Sequence, residues 1–285
     1  MKKLFSIVLA ALMVAALFAG CGSSTAETKA PETTAAPAAA ETTAAPAETE
    51  APAETEAAAT FTTIEAGKLI MSTNAAFPPY EMVADDGSFE GIDVEIAGAI
   101  AKKLGLELVV DDMDFDAALL AVQQGKSDIV MAGVTVNEDR KMVMNFSDTY
   151  SKGVQVVIVK EGSDVTLDNL GDQMIGTQRG TTGYIYTSGD YGEDHVTAYD
   201  NGASAVQALM NGQVDCVVID SAPAQAFVEA NPGLTILDTE YTSEDYAIGM
   251  SKDNTALLEA VNGALKELTE DGTIPAIVEK YIPTK

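Results

Sequence analysis

From residue 61 onward, the apolar positions fall into short runs that alternate between two periods. Leu69-Ile70-Met71 predicts a strand, and Asp93 to Leu104 carries apolar residues at helical spacing before Gly105 stops it. Leu106 to Val110 returns to a strand pattern, Asp116 to Gln124 to a helix ending at Gly125, and Asp128 to Ala132 to a strand again. Such alternation predicts βαβ units, hence a mostly parallel sheet covered by helices. Apolar runs at Val154 to Val159 and Asp215 to Asp220 extend the sheet. Asn254 to Leu268 and Ile274 to Tyr281 predict two closing helices.

One device occurs twice. Ala-Val-Gln-Gln-Gly-Lys-Ser-Asp-Ile-Val at 121–130 and Ala-Leu-Met-Asn-Gly-Gln-Val-Asp-Cys-Val at 208–217 both stop a helix with Gly and open a buried strand three residues later with Asp. Gly125 and Asp128 make the first copy, Gly212 and Asp215 the second. The duplication predicts two similar α/β lobes. Open α/β sheets bind ligands beyond the carboxyl ends of their strands. Eight residues past each Gly stand Gly133 and Asp220, so two polar strand ends are expected to face one another across a cleft.

The start of the chain has a different character. Lys2 and Lys3 precede an apolar run from Leu4 to Ala19, followed by Gly20 and Cys21. A basic start, a short apolar core and small residues before the cut predict an export signal over 1–20. It resembles a bacterial lipoprotein signal, in which Cys21 is diacylated, although Phe18 stands where that signal prefers Leu. Residues 21–60 then hold the lipidated Cys and an Ala/Pro/Thr/Glu linker without apolar periodicity, which predicts a disordered spacer. A spacer of this length suits a thick cell wall, so the expected location is the outer face of the cell membrane, lipid-anchored, with a Gram-positive surface favoured over a periplasm.

Composition narrows the function. The formal charge is −28, with 44 acidic residues against 16 basic ones, and nucleic-acid partners demand the opposite balance. With Cys21 lipidated, Cys216 has no partner for an intramolecular disulfide. One thiol and one imidazole, His195, do not make a zinc site. No cofactor is expected.

The chain has two arginines, Arg140 and Arg179. Where arginine is this scarce, planar bidentate recognition of a carboxylate is a strong candidate role. Arg140 follows Thr135 by five residues on a helix expected to start at Asn137; a surface Arg pairing with Glu138 or Asp139 is the alternative. Gly180-Thr181-Thr182-Gly183 follows a strand over Met174 to Thr177, and exposed N–H groups at a helix start favour an anion there. The loop lacks the Gly-Lys-Ser/Thr ending of a nucleotide-binding loop, so a carboxylate fits better than ATP.

Several stretches together carry a family resemblance. They are Asn74 to Glu81 (Asn-Ala-Ala-Phe-Pro-Pro-Tyr-Glu), Gly91 to Ile96, Asp114-Phe115-Asp116, Gly125 to Asp128, Gly133 to Arg140, Phe146 to Tyr150, Gly176 to Gly183 and the strand ending at Asp220. In order and spacing, from about Lys68 to Tyr281, they resemble bacterial extracellular solute-binding protein family 3, the polar amino-acid receptors of ABC importers. The resemblance implies a two-lobed periplasmic-binding-protein fold of type II, with two mostly parallel sheets, flanking helices and two crossings between lobes near Tyr150–Gly153 and Ser243–Ala247. Lobe 1 would then comprise 61–151 plus 246–285, and lobe 2 would be 152–245. It implies that Arg140, Thr135 and the N–H groups of Thr135 and Thr182 take an α-carboxylate, and that Asp220 and the Gly133 carbonyl take an α-ammonium. Phe77 and Phe115 would sandwich the ligand side chain, with Asn74, Glu81 and Gln178 at its far end.

The implied partners are a free polar amino acid, an ABC permease and its ATPase, and the membrane through the lipid anchor, with the protein itself a monomer. Family members selective for cationic amino acids often carry Asp where this chain has Asn74, which points to a neutral polar ligand; Glu81 and the acids at Asp111, Asp112 and Asp114 point the other way. Arg179 receives no role. A ligand-sensing lipoprotein is a second reading. Some relatives on this fold are dehydratases of prearomatic acids, and Glu81 is the acid such chemistry would need. The sequence offers no nucleophile–base pair, so a binding protein, not an enzyme, is expected.

Overall fold

The computed structural model describes residues 61–238 and 240–283; the expected signal, Cys21 and the linker up to residue 60 lie outside the described residues. Strand β1 (Lys68–Thr73) is followed by a small antiparallel sheet of β2 (Ala76–Phe77), β3 (Glu81–Val83) and β4 (Phe89–Glu90). Then come α1 (Ile92–Lys103), β5 (Glu107–Asp112), α2 (Phe115–Gln123), β6 (Ile129–Val130) and α3 (Glu138–Val143). A long strand, β7 (Asn145–Lys160), leads to β8 (Ile175–Gln178), α4 (Thr182–Tyr191), β9 (Val196–Tyr199), α5 (Gly202–Met210), β10 (Cys216–Asp220) and α6 (Ser221–Ala230). Strands β11 (Leu234–Ile236) and β12 (Thr242–Met250) precede α7 (Thr255–Glu270) and α8 (Thr273–Tyr281).

The fold is mixed α/β and two-lobed. At one end β1 pairs in parallel with β5 and β6; at the other, β8 pairs in parallel with β9 and β10. Between them β7 and β12 run antiparallel through the middle, so the two expected sheets merge into a single path, β5-β1-β6-β12-β7-β10-β8-β9, with β11 against β7. The two expected crossings pair with each other: Ser151 lies opposite Tyr246, Lys152 opposite Asp245 and Gly153 opposite Glu244. The register shifts just beyond, between Tyr246 and Ala247, as at a bulge that bends a strand.

Each half has its own apolar core. Leu69, Met71, Ile96, Ile129, Ile248 and Leu257 are fully buried in one, and Ile158, Val206, Leu209 and Val217 are buried in the other. Parallel strands covered on both faces need apolar residues at consecutive positions, which is why Leu69 to Met71 and Cys216 to Ile219 read as unbroken runs. Phe77 packs against both cores. It sits at their seam.

The duplicated Asp proves to be a strand clip. Asp128 accepts the N–H groups of Ile64 and Ile70, each at 2.8 Å, and Asp215 accepts that of Met174 at 2.8 Å. Each carboxylate ties the neighbouring parallel strand to the one it opens. The Gly before each clip is left-handed, with φ of 66° at Gly125 and 71° at Gly212, the conformation that ends a helix where a Cβ would be strained. Among the described residues no helix is long and apolar enough to cross a membrane.

Candidate functional site

A cleft with about 450 Å³ of empty space, part of it open to solvent, lies at the seam between the halves, and all ten residues expected to contact a ligand line it. Asn74 follows the end of β1, Phe77 lies on β2, Phe115 opens α2, Gly133 and Thr135 follow β6, and Arg140 sits in α3. From the other half, Gln178 ends β8, Thr182 opens α4 and Asp220 ends β10. Strand ends and helix starts therefore converge from both sides, as open α/β sheets arrange their sites.

Arg140 is held by its own helix start. Asn137 caps α3 by accepting the Arg140 N–H at 2.8 Å. The guanidinium donates from Nη1 to the Thr135 carbonyl at 2.9 Å and from Nη2 to the Gly180 carbonyl at 3.2 Å, the latter a contact between the halves. Its Cζ lies 5.3 Å from the Phe115 ring centre. Burial disfavours the charge and lowers the pKa, yet a guanidinium stays protonated in proteins. Only 7% of the residue is exposed, and among the described residues no carboxylate comes within ion-pair distance, so the alternative of a surface pair with Glu138 or Asp139 does not hold. A buried cation with donors left over calls for an anion.

The donors beside it fit that requirement. Thr181 caps α4 by accepting the Tyr184 N–H, which places the Thr182 N–H in the first turn, where helical acceptors are missing. The Thr182 hydroxyl lies 3.4 Å from that of Thr135 across the cavity.

Asp220 supplies the opposite charge. It is 1% exposed, and burial pushes its carboxyl up to about 6 despite three donors. Those donors are the Tyr246 hydroxyl at 2.8 Å, the Val154 N–H at 2.8 Å and the Ala222 N–H at 3.1 Å. The last makes Asp220 the cap of α6. No cation among the described residues pairs with it.

Asn74 and Gln178 bond each other across the seam, Nε2 of Gln178 to Oδ1 of Asn74 at 2.9 Å. Asn74 also donates to the Met113 carbonyl at 2.9 Å. Phe77 stacks on Tyr80 with ring centres 5.8 Å apart. Glu81 is fully buried in the cavity wall.

Three polar residues of the lining, Gln155, Thr181 and Tyr246, are not marked as contacts by the sequence. Gln155 is buried and donates to Glu244 at 3.0 Å; a lone amide within the apolar run of β7 was the available signal. Thr181 carries no signal beyond its place in the Gly180–Gly183 loop. Tyr246 was visible only as an aromatic at a crossing, and its hydroxyl on Asp220 depends on a pairing of β12 with β7 that no local pattern encodes. Arg179 is exposed and outside the cavity lining, donating to the Ala198 carbonyl and lying 3.7 Å from Asp200. His195 is half-buried on a one-turn helix, 3.4 Å from the Gln173 carbonyl.

Two lobes joined by crossing strands, with a buried cation and a buried anion that have no ion-pair partner among the described residues and face one cavity, define a solute-capturing protein. The family model for bacterial extracellular solute-binding proteins, family 3, matches residues 69–284, and the chain belongs to that family. It is 34% identical over 218 residues to a probable histidine-binding protein of Neisseria gonorrhoeae, covering 74% of this chain and 81% of the relative. Its fold is similar to an ancestral arginine-binding protein solved with glutamine (39% identity, TM-score 0.73, 76% of this chain and 99% of that one). An ancestral arginine-binding protein solved with arginine gives 40% identity and a TM-score of 0.72, covering 76% of this chain and 98% of that one.

Proposed function

We propose that this protein is the extracytoplasmic substrate-binding component of an ABC importer and captures a free amino acid by closing its lobes. The carrying observation is the pair Arg140 and Asp220: opposite charges, each buried, neither with an ion-pair partner among the described residues, reaching one cavity from different halves. A zwitterion satisfies both at once, and no smaller neutral solute does. In this reading the α-carboxylate lies on Arg140 with the N–H groups of Thr135 and Thr182, and the α-ammonium on Asp220 and the Gly133 carbonyl. Phe77 and Phe115 flank the side chain. Because the two charges belong to different lobes, capture and closure are one event. The lobes divide as 61–151 plus 246–285 and 152–245, with β7 and β12 as the hinge.

The same reading makes the protein a monomeric lipoprotein, diacylated at Cys21 and handing its ligand to a permease and ATPase. The relatives' names support amino-acid binding. A binding role also accounts for the site without catalysis.

A thermal-shift screen against the twenty amino acids and cystine tests it. A true ligand binds only the folded state and raises the melting temperature. No shift with any of them at millimolar concentration would sink the proposal. For the anchor, Cys21→Ser should release the protein into the medium, and unchanged membrane retention would count against lipidation.

A further inference from the structure

Beside Glu81 in the cavity wall lies a second buried carboxylate, Asp93. Glu81 on β3 is fully buried with neither carboxyl oxygen matched to a donor, and it lines the cavity. Asp93, in the first turn of α1, is also fully buried. Its Oδ2 accepts the Gly133 N–H at 2.9 Å and the Tyr150 hydroxyl at 2.8 Å, while its Oδ1 has no donor. The two side chains are within hydrogen-bonding reach of each other.

Two buried carboxylates in contact cannot both carry charge. Asp93 has two donors and a helix N-terminus, so the charge belongs there. Glu81 then holds the proton and donates it to Asp93, which gives one Glu81 oxygen a partner and leaves the other facing the cavity unmatched. The groups facing the pair offer no cation in its place. They are Tyr80 beside Glu81, Asp112 from β5, Tyr150 from β7 and the Gly133 N–H after β6. Burial raises Glu81 well above the usual carboxylate range, with the Asp93 charge adding to it; Asp93 itself stands at about 6.

We infer that Glu81 and Asp93 hold a single proton in the empty site, and that a cationic amino-acid side chain is accepted by driving that proton off Glu81. The O–H bond of Glu81 breaks, the proton leaves to solvent, and the arriving cation takes its place beside two carboxylates. A neutral polar side chain meets the protonated pair and displaces nothing. Asn74 therefore does not decide between the two ligand classes; the charge of the pair does. This rests on the cavity taking an amino acid.

Titration calorimetry tests it with L-arginine and L-glutamine as probes, at about pH 7.5 in two buffers of different ionisation heat. At this pH Asp220 is already ionised, so it releases no proton for either ligand. Arginine should release close to one proton and glutamine none. Arginine affinity should rise roughly tenfold per pH unit while Glu81 remains protonated in the empty site. In Glu81→Gln, with folding checked by its melting curve, arginine should bind with no proton release and no pH slope in this range. Arginine binding with no release in the wild type, release equal to that of glutamine, or release persisting in the variant overturns the inference. Glutamine binding with no arginine binding overturns it and leaves the amino-acid reading standing; binding of neither overturns both.

Discussion

The hydroxyl of Tyr246 lies 2.8 Å from Oδ2 of Asp220, the same oxygen that accepts the Val154 N–H at 2.8 Å. Tyr246 belongs to β12 and Val154 to β7, the two strands that run through both halves, so the crossing strands themselves aim the anion. Gly153 makes this possible, since a Cβ there would stand 2.5 Å from the Tyr246 hydroxyl and 2.6 Å from the carboxylate.

Tyr246→Phe removes one donor from the ionised form of Asp220. A hydrogen bond to a charged group contributes about 1.5–3 kcal/mol, so the carboxyl, at about 6 with the hydroxyl in place, should titrate higher and amino-acid affinity at pH 7 should fall roughly two- to fifteenfold. Calorimetry at pH 7 and at pH 8.5 checks the cause. Recovery at the higher pH marks a shifted titration, whereas an equal deficit at both marks a packing defect.

Arg140→Ala and Asp220→Asn each leave one end of the ligand buried and unpaired. Removing one partner of a buried charge pair costs roughly 3–5 kcal/mol, enough to weaken binding by about a hundredfold or more, while the melting temperature of the empty protein should hold or rise. Arg140→Lys should fail as well, because an ammonium cannot span Thr135, Gly180 and a carboxylate as the planar fork does. Binding undiminished in any of the three would remove that residue from the site.

Much of this architecture was legible in the chain because its signals are local. Gly125 with Asp128, and Gly212 with Asp215, announced two copies of one helix–strand unit, and counting onward from them reached Gly133 and Asp220. The scarcity of arginine singled out Arg140. What stayed hidden depends on long-range pairing. Residues 145–153 of β7 are polar at several positions and show no strand period; they are strand because β12 supplies their hydrogen bonds. The small β2–β3–β4 sheet is too short and too rich in turn residues to show a period. Glu81 was named as a candidate, but its contact with Asp93 follows only from the packing of α1 against β3.

Acid should weaken capture of any amino acid, because the α-ammonium needs Asp220 ionised. That carboxyl titrates at about 6 in the empty site, above the ordinary value of ~4. Between those two values the folded, empty protein binds more protons than the unfolded chain. Its stability therefore falls as pH rises through the window, and Asp220 contributes nothing to acid denaturation there. Ligand binding carries the opposite sign: glutamine affinity should drop nearly tenfold per pH unit below about 6 and level off above 7. Flat affinity from pH 4.5 to 7 would mean that the ammonium rests elsewhere.

Gly133 and Gly125 separate backbone strain from loss of the site. Both have positive φ, 54° and 66°. A Cβ at Gly125 would meet nothing within 4 Å, whereas one at Gly133 would lie 2.8 Å from Cε1 of Phe77 and 3.2 Å from the Tyr246 ring. Gly125→Ala should therefore cost only the left-handed conformation, about 1 kcal/mol, and leave affinity unchanged. Gly133→Ala carries the same strain and also displaces Phe77, the ring packed against both cores, so a further loss of about 1–3 kcal/mol is expected from overpacking. Denaturant melts give the two stabilities and calorimetry the two affinities. Binding should fail in Gly133→Ala alone, and equal affinities in the two variants would show that the Gly133–Phe77 contact has no part in holding a ligand.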